Sequence, residues 1–463
     1  MLQANPDWKS TSHREFRSDE FWREIPAWKD VTREEFGDNW WQARASVCNL
    51  KQVKETLADR VSDELIADIE KGLSLAPMNI RITPYVFALI DWDNPKDDPL
   101  RMQFLPLASQ MLDDHPFYLA DSLSEDEDAP VDMLTHRYLD KVLFLPLTTC
   151  PVYCSYCTRS RIIGGSTDTV EKETYGANIA RWEPAFDYMR ANPQIEDVVI
   201  SGGDAFNLTG KQIKHIGDTL LDIPHIRRIR YATKGVAIMP MKITHDEKWM
   251  DALLAVHKKG HSLGKQVVIH THFSSPREIT QWTKDAMDRL FSENVLVRNQ
   301  AVLQEGVNNS EGVMISMARK LSFLNIQSYY VYIHDMVPGC EHLRTTVAEG
   351  VEIEKRLRGT TAGFNIPTFV CDAPGGGGKR HVASYEYYDK ENGISVWRAP
   401  NVKPGELFLY FDPIHKLSAD AQQRWADESQ RIEMVKAAVN KVNPDLGSDE
   451  RKKLAQRLSI KLA

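Results

Sequence analysis

The sequence TTCPVYCSYCTRSR, residues 148–161, contains half of the chain's six cysteines within eight positions, as Cys150, Cys154 and Cys157. The other cysteines are scattered, so the cluster is a candidate metal site and not part of a disulfide framework. Structural zinc sites and ordinary 4Fe–4S clusters use four protein ligands, whereas this stretch supplies three. A metal with one position free of protein ligands can bind and activate a small molecule there.

The C-x3-C-x2-C spacing resembles the signature of the radical S-adenosylmethionine (SAM) superfamily. In that superfamily, SAM chelates the fourth iron through its amino and carboxylate groups, and its reductive cleavage yields a 5′-deoxyadenosyl radical. The resemblance therefore implies a 4Fe–4S cluster and SAM as cofactors. The alternatives are a zinc site completed by a distant Cys or His residue, and a non-catalytic zinc or iron–sulfur module.

The composition excludes several classes of function. The chain has 463 residues, is 42% hydrophobic and carries a net charge of −8, with a pI near 6.0, so it lacks the basic character of a nucleic-acid-binding protein. No apolar run approaches the roughly 18 residues of a membrane span, and the polar first residues lack the apolar core of a signal peptide. The few cysteines, together with a metal motif, indicate a reducing cytoplasm.

The chain divides into four predicted regions. Residues 1–75 are rich in charge and tryptophan and show the apolar spacing of amphipathic helices, which predicts an N-terminal helical arm. Residues 76–135 form a turn-rich lead-in segment, whose acidic run SLSEDEDAP is predicted to be a solvated loop without an ion-binding role. Residues 136–360 are the barrel region, and residues 361–463 are a C-terminal extension of strands and helices.

Six short β-branched or aromatic segments of the barrel region alternate with segments of helical periodicity. These segments are KVLFLPLT, EDVVISG, RRIRYAT, QVVIHTHF, NVLVRNQAVL and IQSYYVYIH. Alternating strands and helices form a parallel sheet, and six strands are too few for a closed eight-stranded barrel. The predicted fold class is therefore α/β, with a partial (β/α)6 barrel of the radical SAM type, an N-terminal helical arm and a C-terminal α+β extension.

Active sites of such barrels lie where the strands end and the loops begin. Chemically useful residues stand at or near these positions, and we expect them to converge on one face. They are Cys150, Gly202, Gly203, Asp204, Lys234, His272, Gln300 and Asp335.

The segment APGGGGKR, residues 373–380, places Lys379 directly after four glycines. A phosphate-binding P-loop would need Ser or Thr after the lysine and a helix at that point, but Arg380 and β-type residues follow. Glycines let the backbone pass close beside a bulky planar ligand. Many enzymes bind pyridoxal phosphate (PLP) covalently through such a lysine. Considered alone, the loop could also be a flexible turn with a solvated lysine.

Considered together, the cysteine motif and the glycine–lysine loop resemble those of the lysine 2,3-aminomutase family of PLP-dependent radical SAM enzymes. The similarity runs from about Leu134 to Lys379. Its segments are LTHRY, the cysteine motif with TRSR, SGGDA, PHI, THF, RNQAVL, Asp335 with PGCEHLR, LRG and PTFVCDAPGGGGK. The resemblance implies an isomerase that moves the α-amino group of L-lysine to Cβ and so produces β-lysine.

The resemblance also implies cofactor roles for individual residues. Lys379 would be the catalytic residue that holds PLP, and the three motif cysteines would bind the iron–sulfur cluster. The residues around SAM would be Ser201, Gly202, Gly203, Asp204, His272 and Gln300. The contacts to the PLP phosphate would be Arg137, Tyr138, Lys141 and Lys234. These two lysines replace arginines of lysine-acting members, so they keep the positive charge but lack a bidentate fork.

Three further matches concern the substrate. Arg159 matches the residue that pairs with the substrate α-carboxylate, and Asp335 and Asp372 match the carboxylates that bind the distal ammonium of lysine. Two acids in a water-poor pocket need a cation to neutralise them. Glutamate-acting relatives carry non-acidic residues at these two positions, which favours a substrate with a cationic side chain. Arginine or another cationic amino acid stays open as the substrate, and modification of a peptidyl lysine is a more remote alternative.

The chain departs from the family at two places. Lysine-acting bacterial members often bind structural zinc through a C-terminal cysteine cluster, but no cysteine follows Cys371 here, so we predict no zinc. The SRTP segment of those members is replaced by TKGV at residues 233–236, close to the expected PLP phosphate. The expected partners are a small amino-acid substrate, an electron donor such as flavodoxin or ferredoxin, and further copies of the chain in a dimer or tetramer. We expect no nucleic acid and no membrane partner.

Overall fold

The computed structural model describes residues 10–458. The beginning of the chain, from which the absence of a signal peptide is predicted, lies partly outside the described residues. Within residues 10–458, no helix combines the length and the apolar character that crossing a membrane requires.

The N-terminal part is helical, as predicted. The helices within the predicted arm are α1 (Arg33–Gly37), α2 (Asn39–Arg44), α3 (Leu50–Leu57) and α4 (Asp63–Leu75). Two further short helices, α5 (Pro84–Leu89) and α6 (Pro99–Phe104), lie in the segment that was predicted to be a turn-rich lead-in. The segment EFWREIPAWKD forms two short 3₁₀ turns, Phe21–Glu24 and Pro26–Trp28, because Pro26 cannot donate the backbone hydrogen bond that a continuous helix would need. Trp41 packs against Trp28, whereas Trp40 is exposed.

A nine-stranded sheet with its strands in sequence order forms the centre of the molecule. Its strands are β1 (Leu134–Tyr138), β2 (Lys141–Phe144), β3 (Asp197–Ile200), β4 (Arg228–Ala232), β5 (Gln266–Thr271), β6 (Val297–Leu303), β7 (Ile326–Ile333), β8 (Thr368–Ala373) and β9 (Gly378–His381). Strands β2 to β8 are parallel, and β1 and β9 are antiparallel to their neighbours. The six predicted strands are β2 to β7, and the segment IPTFVCD adds β8 as a further parallel strand.

Helices connect the parallel strands and cover the outside of the sheet. They are α7 (Glu183–Ala191), α8 (Gly210–Asp222), α9 (Gly235–Ile238), α10 (Met241–His245), α11 (Glu247–Ser262), α12 (Gln281–Ser292), α13 (Glu311–Phe323) and α14 (Val347–Leu357). Side chains alternate along each strand, so Val198 and Ile200 of β3 are fully buried in the hydrophobic core, whereas Val199 lines an interior cavity. The predicted α/β partial-barrel fold is confirmed.

The sheet curves until its first and last strands meet through a side chain. The hydroxyl of Tyr138 on β1 accepts a hydrogen bond of 3.0 Å from the backbone N–H of Lys379 on β9. The predicted PLP lysine is therefore tied to the strand that carries the predicted phosphate contacts.

One predicted helix is shorter than its sequence pattern suggests. The segment EKETYGANIARWEPAFDYMR forms an α-helix only from Glu183 onward. Before it, the backbone N–H of Tyr175 donates to the Thr148 hydroxyl, and its carbonyl accepts from the Thr148 N–H. The extended conformation is selected because it covers the start of the cysteine loop, a tertiary contact that helical periodicity does not reveal.

The C-terminal part contains a second, antiparallel sheet and a helical tail, as predicted. Its strands are β10 (Tyr387–Asp389), β11 (Ile394–Arg398) and β12 (Leu407–Phe411), and the tail helices are α15 (Ala419–Ala426), α16 (Glu428–Val442) and α17 (Ser448–Leu458). The predicted turn at Asn392-Gly393 separates β10 from β11, and Gly393 has the positive φ of +66° that favours glycine. Strands β8 and β9 connect this predicted region to the barrel sheet.

Candidate active site

A cavity of about 360 Å³ lies inside the partial barrel, where the loops leave the C-terminal ends of the parallel strands. Every residue that the sequence selects as a site residue lines it. They are Arg137, Tyr138, Lys141, Cys150, Cys154, Cys157, Arg159, Ser201, Gly202, Gly203, Asp204, Lys234, His272, Gln300, Asp335, Asp372 and Lys379. Residues separated by more than 200 positions along the chain are thus brought to one cavity.

The three motif cysteines lie on the loop after β2 and are half-buried free thiols. Backbone contacts fix this loop, because the N–H of Ser155 donates to the Gln103 carbonyl over 2.9 Å. Burial raises the pKa of the Cys154 thiol to about 12. A bound cationic metal centre reverses this preference, because it stabilises the thiolate.

The three motif cysteines are the predicted ligands of a multi-iron cluster. Within residues 10–458, no three His, Cys, Asp or Glu side chains are grouped closely enough to hold a single metal ion. A cluster does not need such convergence, since its cysteine ligands bind different irons. The three thiols line one open cavity, and their role as cluster ligands stays a prediction.

The SGGD turn after β3 packs directly on the chain that leads into the cysteine loop. Gly202 has a φ of +95°, and a Cβ atom there would lie 2.3 Å from the Leu147 carbonyl oxygen. A Cβ atom on Gly203 would lie 2.2 Å from the carbonyl oxygen of Thr149. The N–H of Gly203 donates to the Leu147 carbonyl over 2.6 Å. Both glycines are therefore required by close backbone contact next to Cys150.

Asp204 connects the ends of two neighbouring strands. Its carboxylate accepts hydrogen bonds of 2.8 Å from the backbone N–H groups of Phe206 and Lys234. Burial raises the pKa of this carboxyl group above its ordinary value. Asp204 thereby fixes the β3 and β4 loops relative to each other at the rim of the cavity.

His272 links the end of β5 to the cysteine motif. Its Nε2 atom shares a hydrogen bond of 2.9 Å with the hydroxyl of Tyr156, the residue before Cys157. Burial, followed by the charge of Lys234, lowers the pKa of His272 well below its ordinary value. We therefore expect this imidazole to be neutral in the cavity wall. Gln300 accepts a hydrogen bond of 3.3 Å from the Tyr332 hydroxyl.

Lys234 is buried in an ion pair that the sequence does not reveal. Its ammonium donates to Glu278 over 2.8 Å and to the His272 carbonyl over 3.0 Å. The side chains of Lys234 and Glu278 are 6% and 1% exposed, so this charge is neutralised inside the protein. Its contact with the PLP phosphate stays a prediction.

The other predicted PLP contacts surround Lys379. The Lys141 ammonium lies 3.9 Å from the centroid of the Tyr138 ring, and the Lys379 ammonium lies 5.7 Å from the same centroid. Burial, together with repulsion from Lys379, lowers the pKa of Lys141 to about 8. Arg137 donates from Nε to Asp128 over 2.6 Å. Cationic groups and an aromatic face therefore occupy the wall from which Lys379 projects.

Lys379 on β9 stands directly opposite Asp372 on β8 in the strand register. Its Nζ donates to Oδ2 of Asp372 over 2.7 Å. Burial alone lowers the pKa of this lysine, but Asp372 and the nearby tyrosines outweigh that effect and raise it well above the ordinary value. The glycine loop between the two strands has positive φ at Gly375, Gly376 and Gly378, so its tight turn needs glycine.

The two predicted ammonium-binding acids share the cavity. Burial, followed by repulsion from Asp372, raises the pKa of Asp335. The Oδ1 atom of Asp372 is buried without a hydrogen-bond partner among the described residues. An unpartnered, buried carboxylate oxygen near a second acid is a favourable position for a cationic group.

The acidic run SLSEDEDAP corrects one prediction. Glu125 is buried, and both of its carboxylate oxygens accept hydrogen bonds of 2.7 Å from Arg159. Asp128 pairs with Arg137. The prediction of a solvated loop is therefore wrong for Glu125 and Asp128, because two buried arginines of the cavity need negative partners. Charge composition alone does not distinguish such acids from exposed ones.

Comparison with known proteins identifies the relatives of this chain. A family model described as lysine-2,3-aminomutase matches residues 353–390, which include Asp372 and Lys379. The L-lysine 2,3-aminomutase of Bacillus subtilis (strain 168) is 37% identical over 417 residues, which cover 87% of this chain and 83% of that protein. The L-lysine 2,3-aminomutase of Clostridium subterminale is 38% identical, over 78% of this chain and 81% of that protein. The glutamate 2,3-aminomutase of Clostridioides difficile (strain 630) is 35% identical over 64% of this chain and 66% of that protein.

Proposed function

The chain belongs to the lysine 2,3-aminomutase family, and on this premise we propose that it is a radical SAM, PLP-dependent isomerase that converts L-lysine to β-lysine. The α-amino group of the substrate moves to Cβ. The observation that carries the proposal is one cavity lined by three cysteines, an arginine, Lys379 and two aspartates, of which Asp372 is buried and Asp335 is half-buried.

Each cofactor has a set of residues that fits it. Cys150, Cys154 and Cys157 would hold a 4Fe–4S cluster, with SAM beside it near the SGGD turn, His272 and Gln300. Lys379 would hold PLP, and Arg137, Tyr138 and Lys141 would contact its phosphate; Lys234, whose charge is paired with Glu278, is the fourth proposed contact. When bound, the cluster and SAM supply hydrogen abstraction at Cβ, and PLP supplies a covalent hold on the migrating amino group and delocalisation of unpaired spin.

The substrate is held at both ends. Arg159 binds the α-carboxylate, and Asp335 and Asp372 bind the distal ammonium. A carbon radical reacts with whatever lies nearest, so the position of Cβ decides the product. Binding at two fixed points restricts the position of Cβ, and apolar side chains such as Val152 and Val302 line the same cavity.

Asp372 also handles the proton of Lys379. The Lys379 amine must lose a proton before it can bond to a carbonyl carbon, and Oδ2 of Asp372 lies 2.7 Å from Nζ. Oδ2 of Asp372 would accept this proton and release it to solvent, which restores a carboxylate that no longer has the Lys379 cation beside it. The substrate ammonium then replaces the lysine as the cation beside Asp372.

The paired acids favour lysine among amino acids, but arginine or another cationic amino acid would use the same groups. The related glutamate 2,3-aminomutase shows that the family includes other substrates. Modification of a peptidyl lysine is a more remote alternative. We further propose a cytoplasmic enzyme reduced by flavodoxin or ferredoxin, assembled as a dimer or tetramer, and without a structural zinc ion.

A substrate panel tests the proposal. The protein, reconstituted anaerobically with iron, sulfide and PLP, is incubated with SAM, a reductant and equimolar lysine, arginine, ornithine, glutamate and alanine. Mass spectrometry after derivatisation identifies the β-amino acids formed. A β-lysine product alone supports the proposal, whereas β-arginine alone would move the specificity to arginine. Formation of 5′-deoxyadenosine without any β-amino acid would contradict an aminomutase acting on these substrates.

A further inference from the structure

Glu125 and Arg159 form a two-point ion pair at the rim of the cavity. Nε and Nη2 of Arg159 donate to the two carboxylate oxygens of Glu125, each over 2.7 Å. The side chains are 9% exposed for Glu125 and 17% exposed for Arg159, so the pair is largely removed from water. Such buried bidentate pairs have fixed geometry.

The pair leaves one edge of the guanidinium available. An arginine side chain has five N–H donors in a planar fork. Glu125 uses the edge formed by Nε and Nη2, and Nη1 makes no hydrogen bond with any residue from 10 to 458. The N–H groups of the Nη1 and Nη2 edge can therefore donate to a second carboxylate in the same bidentate manner. Because the guanidinium is planar, fixing one edge fixes the direction of the other.

Glu125 is itself held in place by its neighbours in the acidic run. Asp128 pairs with Arg137, a predicted PLP-phosphate contact, over 2.6 Å. The Ser122 carbonyl accepts a hydrogen bond of 2.9 Å from the backbone N–H of Gly375 in the glycine loop. The acidic run is thus anchored on either side of Glu125 in the sequence, to β1 and to the glycine loop, which restricts the movement of Glu125.

We propose that Glu125 is a positioning residue for the substrate: it holds Arg159 so that the Nη1 and Nη2 edge faces the α-carboxylate of the amino acid. The inference rests on the proposed function, in which Arg159 binds that carboxylate. Glu125, although acidic, would thus increase the affinity of the site for a second acidic group, the substrate α-carboxylate. A carboxylate that merely occupied the substrate position would have the opposite effect, because its removal would strengthen substrate binding.

Ligand binding without turnover tests the proposal. The full-length protein is reconstituted anaerobically with iron, sulfide and PLP, supplied with SAM but with no reductant, and titrated calorimetrically. The two ligands are L-lysine and 1,5-diaminopentane, which is lysine without its carboxylate. The variants are Glu125→Gln, which removes the charge, and Glu125→Asp, which keeps the charge but shortens the side chain. Asp126→Asn is the matched control, since Asp126 lies in the same run but pairs with Arg161 and has a side chain that is 74% exposed.

The proposal predicts a loss that depends on the ligand. Glu125→Gln should weaken lysine binding by about tenfold or more, the effect of one lost charge-assisted contact, and should change diaminopentane binding by less than about twofold. The lysine affinity of Glu125→Asp should lie between the affinities of Glu125→Gln and of the unaltered protein. Asp126→Asn should leave the affinities for both ligands within about twofold.

Four outcomes overturn the inference. Equal or tighter binding of lysine by Glu125→Gln would show that Glu125 competes with the substrate carboxylate or has no effect on it. An equal loss for both ligands would show a general structural role. If the unaltered protein does not prefer lysine to diaminopentane, Arg159 does not bind the substrate carboxylate. The inference about Glu125 is then also wrong, because it depends on that role of Arg159. If Glu125→Gln does not fold, unchanged lysine affinity in Glu125→Asp contradicts the proposal.

Discussion

Lys379 and Asp372 stand opposite each other on adjacent antiparallel strands, with Nζ and Oδ2 2.7 Å apart. One of these residues is the proposed attachment point of PLP, and the other is a proposed ligand of the substrate ammonium. Attachment of PLP would remove the positive charge of the lysine from this pair. The carboxylate that holds Lys379 in the free protein would thereby become available for the substrate.

The first prediction concerns Lys379→Ala. Without the amine, PLP cannot bind covalently, so the absorbance band of lysine-bound PLP should be absent from the reconstituted variant. The matched control is Lys355→Ala, because the Lys355 side chain is 77% exposed and lies outside the cavity. Absorbance spectra of both variants after removal of free PLP provide the measurement. A retained band in Lys379→Ala would show that another lysine holds the cofactor.

The second prediction concerns the paired acids. Asp335→Asn and Asp372→Asn should each reduce kcat/KM for lysine at least about 30-fold, because removal of one partner from a buried charge pair costs about 2–5 kcal/mol. Steady-state β-lysine formation measures the loss. Asp97→Asn, at an exposed position, is the control for charge removal alone. Turnover at the unaltered rate in either cavity variant would refute the ammonium-binding role.

The third prediction concerns pH and Asp335. Burial and the neighbouring acids Asp372 and Glu125 raise the pKa of Asp335, while Lys379 and Arg344 oppose that rise. As pH increases above about 4, the unfolded chain ionises this carboxyl group first, so the ligand-free folded protein loses stability. The Asp335→Asn substitution removes this pH-dependent loss of folding stability. Its thermal midpoint should therefore exceed that of the unaltered protein by an amount that grows between about pH 5.5 and pH 8.

The same raised pKa predicts how lysine affinity varies with pH. A cationic ligand prefers the ionised carboxylate, so its binding releases a proton and its affinity increases with pH. Calorimetric titrations across the same pH range measure this trend. An affinity for lysine that is independent of pH, or a thermal midpoint of Asp335→Asn that does not differ from that of the unaltered protein at any pH, would contradict the assignment.

The fourth prediction concerns Gly203→Ala. The added Cβ atom would lie 2.2 Å from the Thr149 carbonyl oxygen, so the SGGD turn or the cysteine loop must move. We expect a loss of about 1–3 kcal/mol in stability and a lower iron content after reconstitution. The control is Gly312→Ala on α13, where nothing lies within 4 Å of the added atom. That change should be neutral or stabilising, by up to about 1 kcal/mol.

Local sequence patterns predicted the fold because they coincide with local structure. The six β-branched segments became β2 to β7, and the order of the strands followed from parallel βα units. The helix expected from Glu171 onward begins only at Glu183, because contacts between Tyr175 and Thr148 select an extended conformation. Such contacts depend on residues that are distant in sequence.

The sequence predicted some residues of the candidate site but not their ion-pair partners. Its cysteines, its lysine and its paired aspartates carry motif signals, and all of them line the cavity. Glu125 and Glu278 were not predicted, although each pairs with a cavity cation, Arg159 and Lys234 respectively. Their partners lie 34 and 44 positions away, and neither spacing corresponds to a helix or strand period. The identity of an ion-pair partner over such a separation becomes apparent only in the folded chain.

The most direct test of the account uses L-lysine labelled with ¹⁵N at its α-amino group. The reconstituted enzyme, with SAM and a reductant, should convert it to β-lysine that carries the label on the nitrogen attached to C3, as detected by ¹⁵N NMR and mass spectrometry. Lysine recovered with the label only at C2, from a reaction in which SAM is cleaved, would contradict the amino migration on which the account depends.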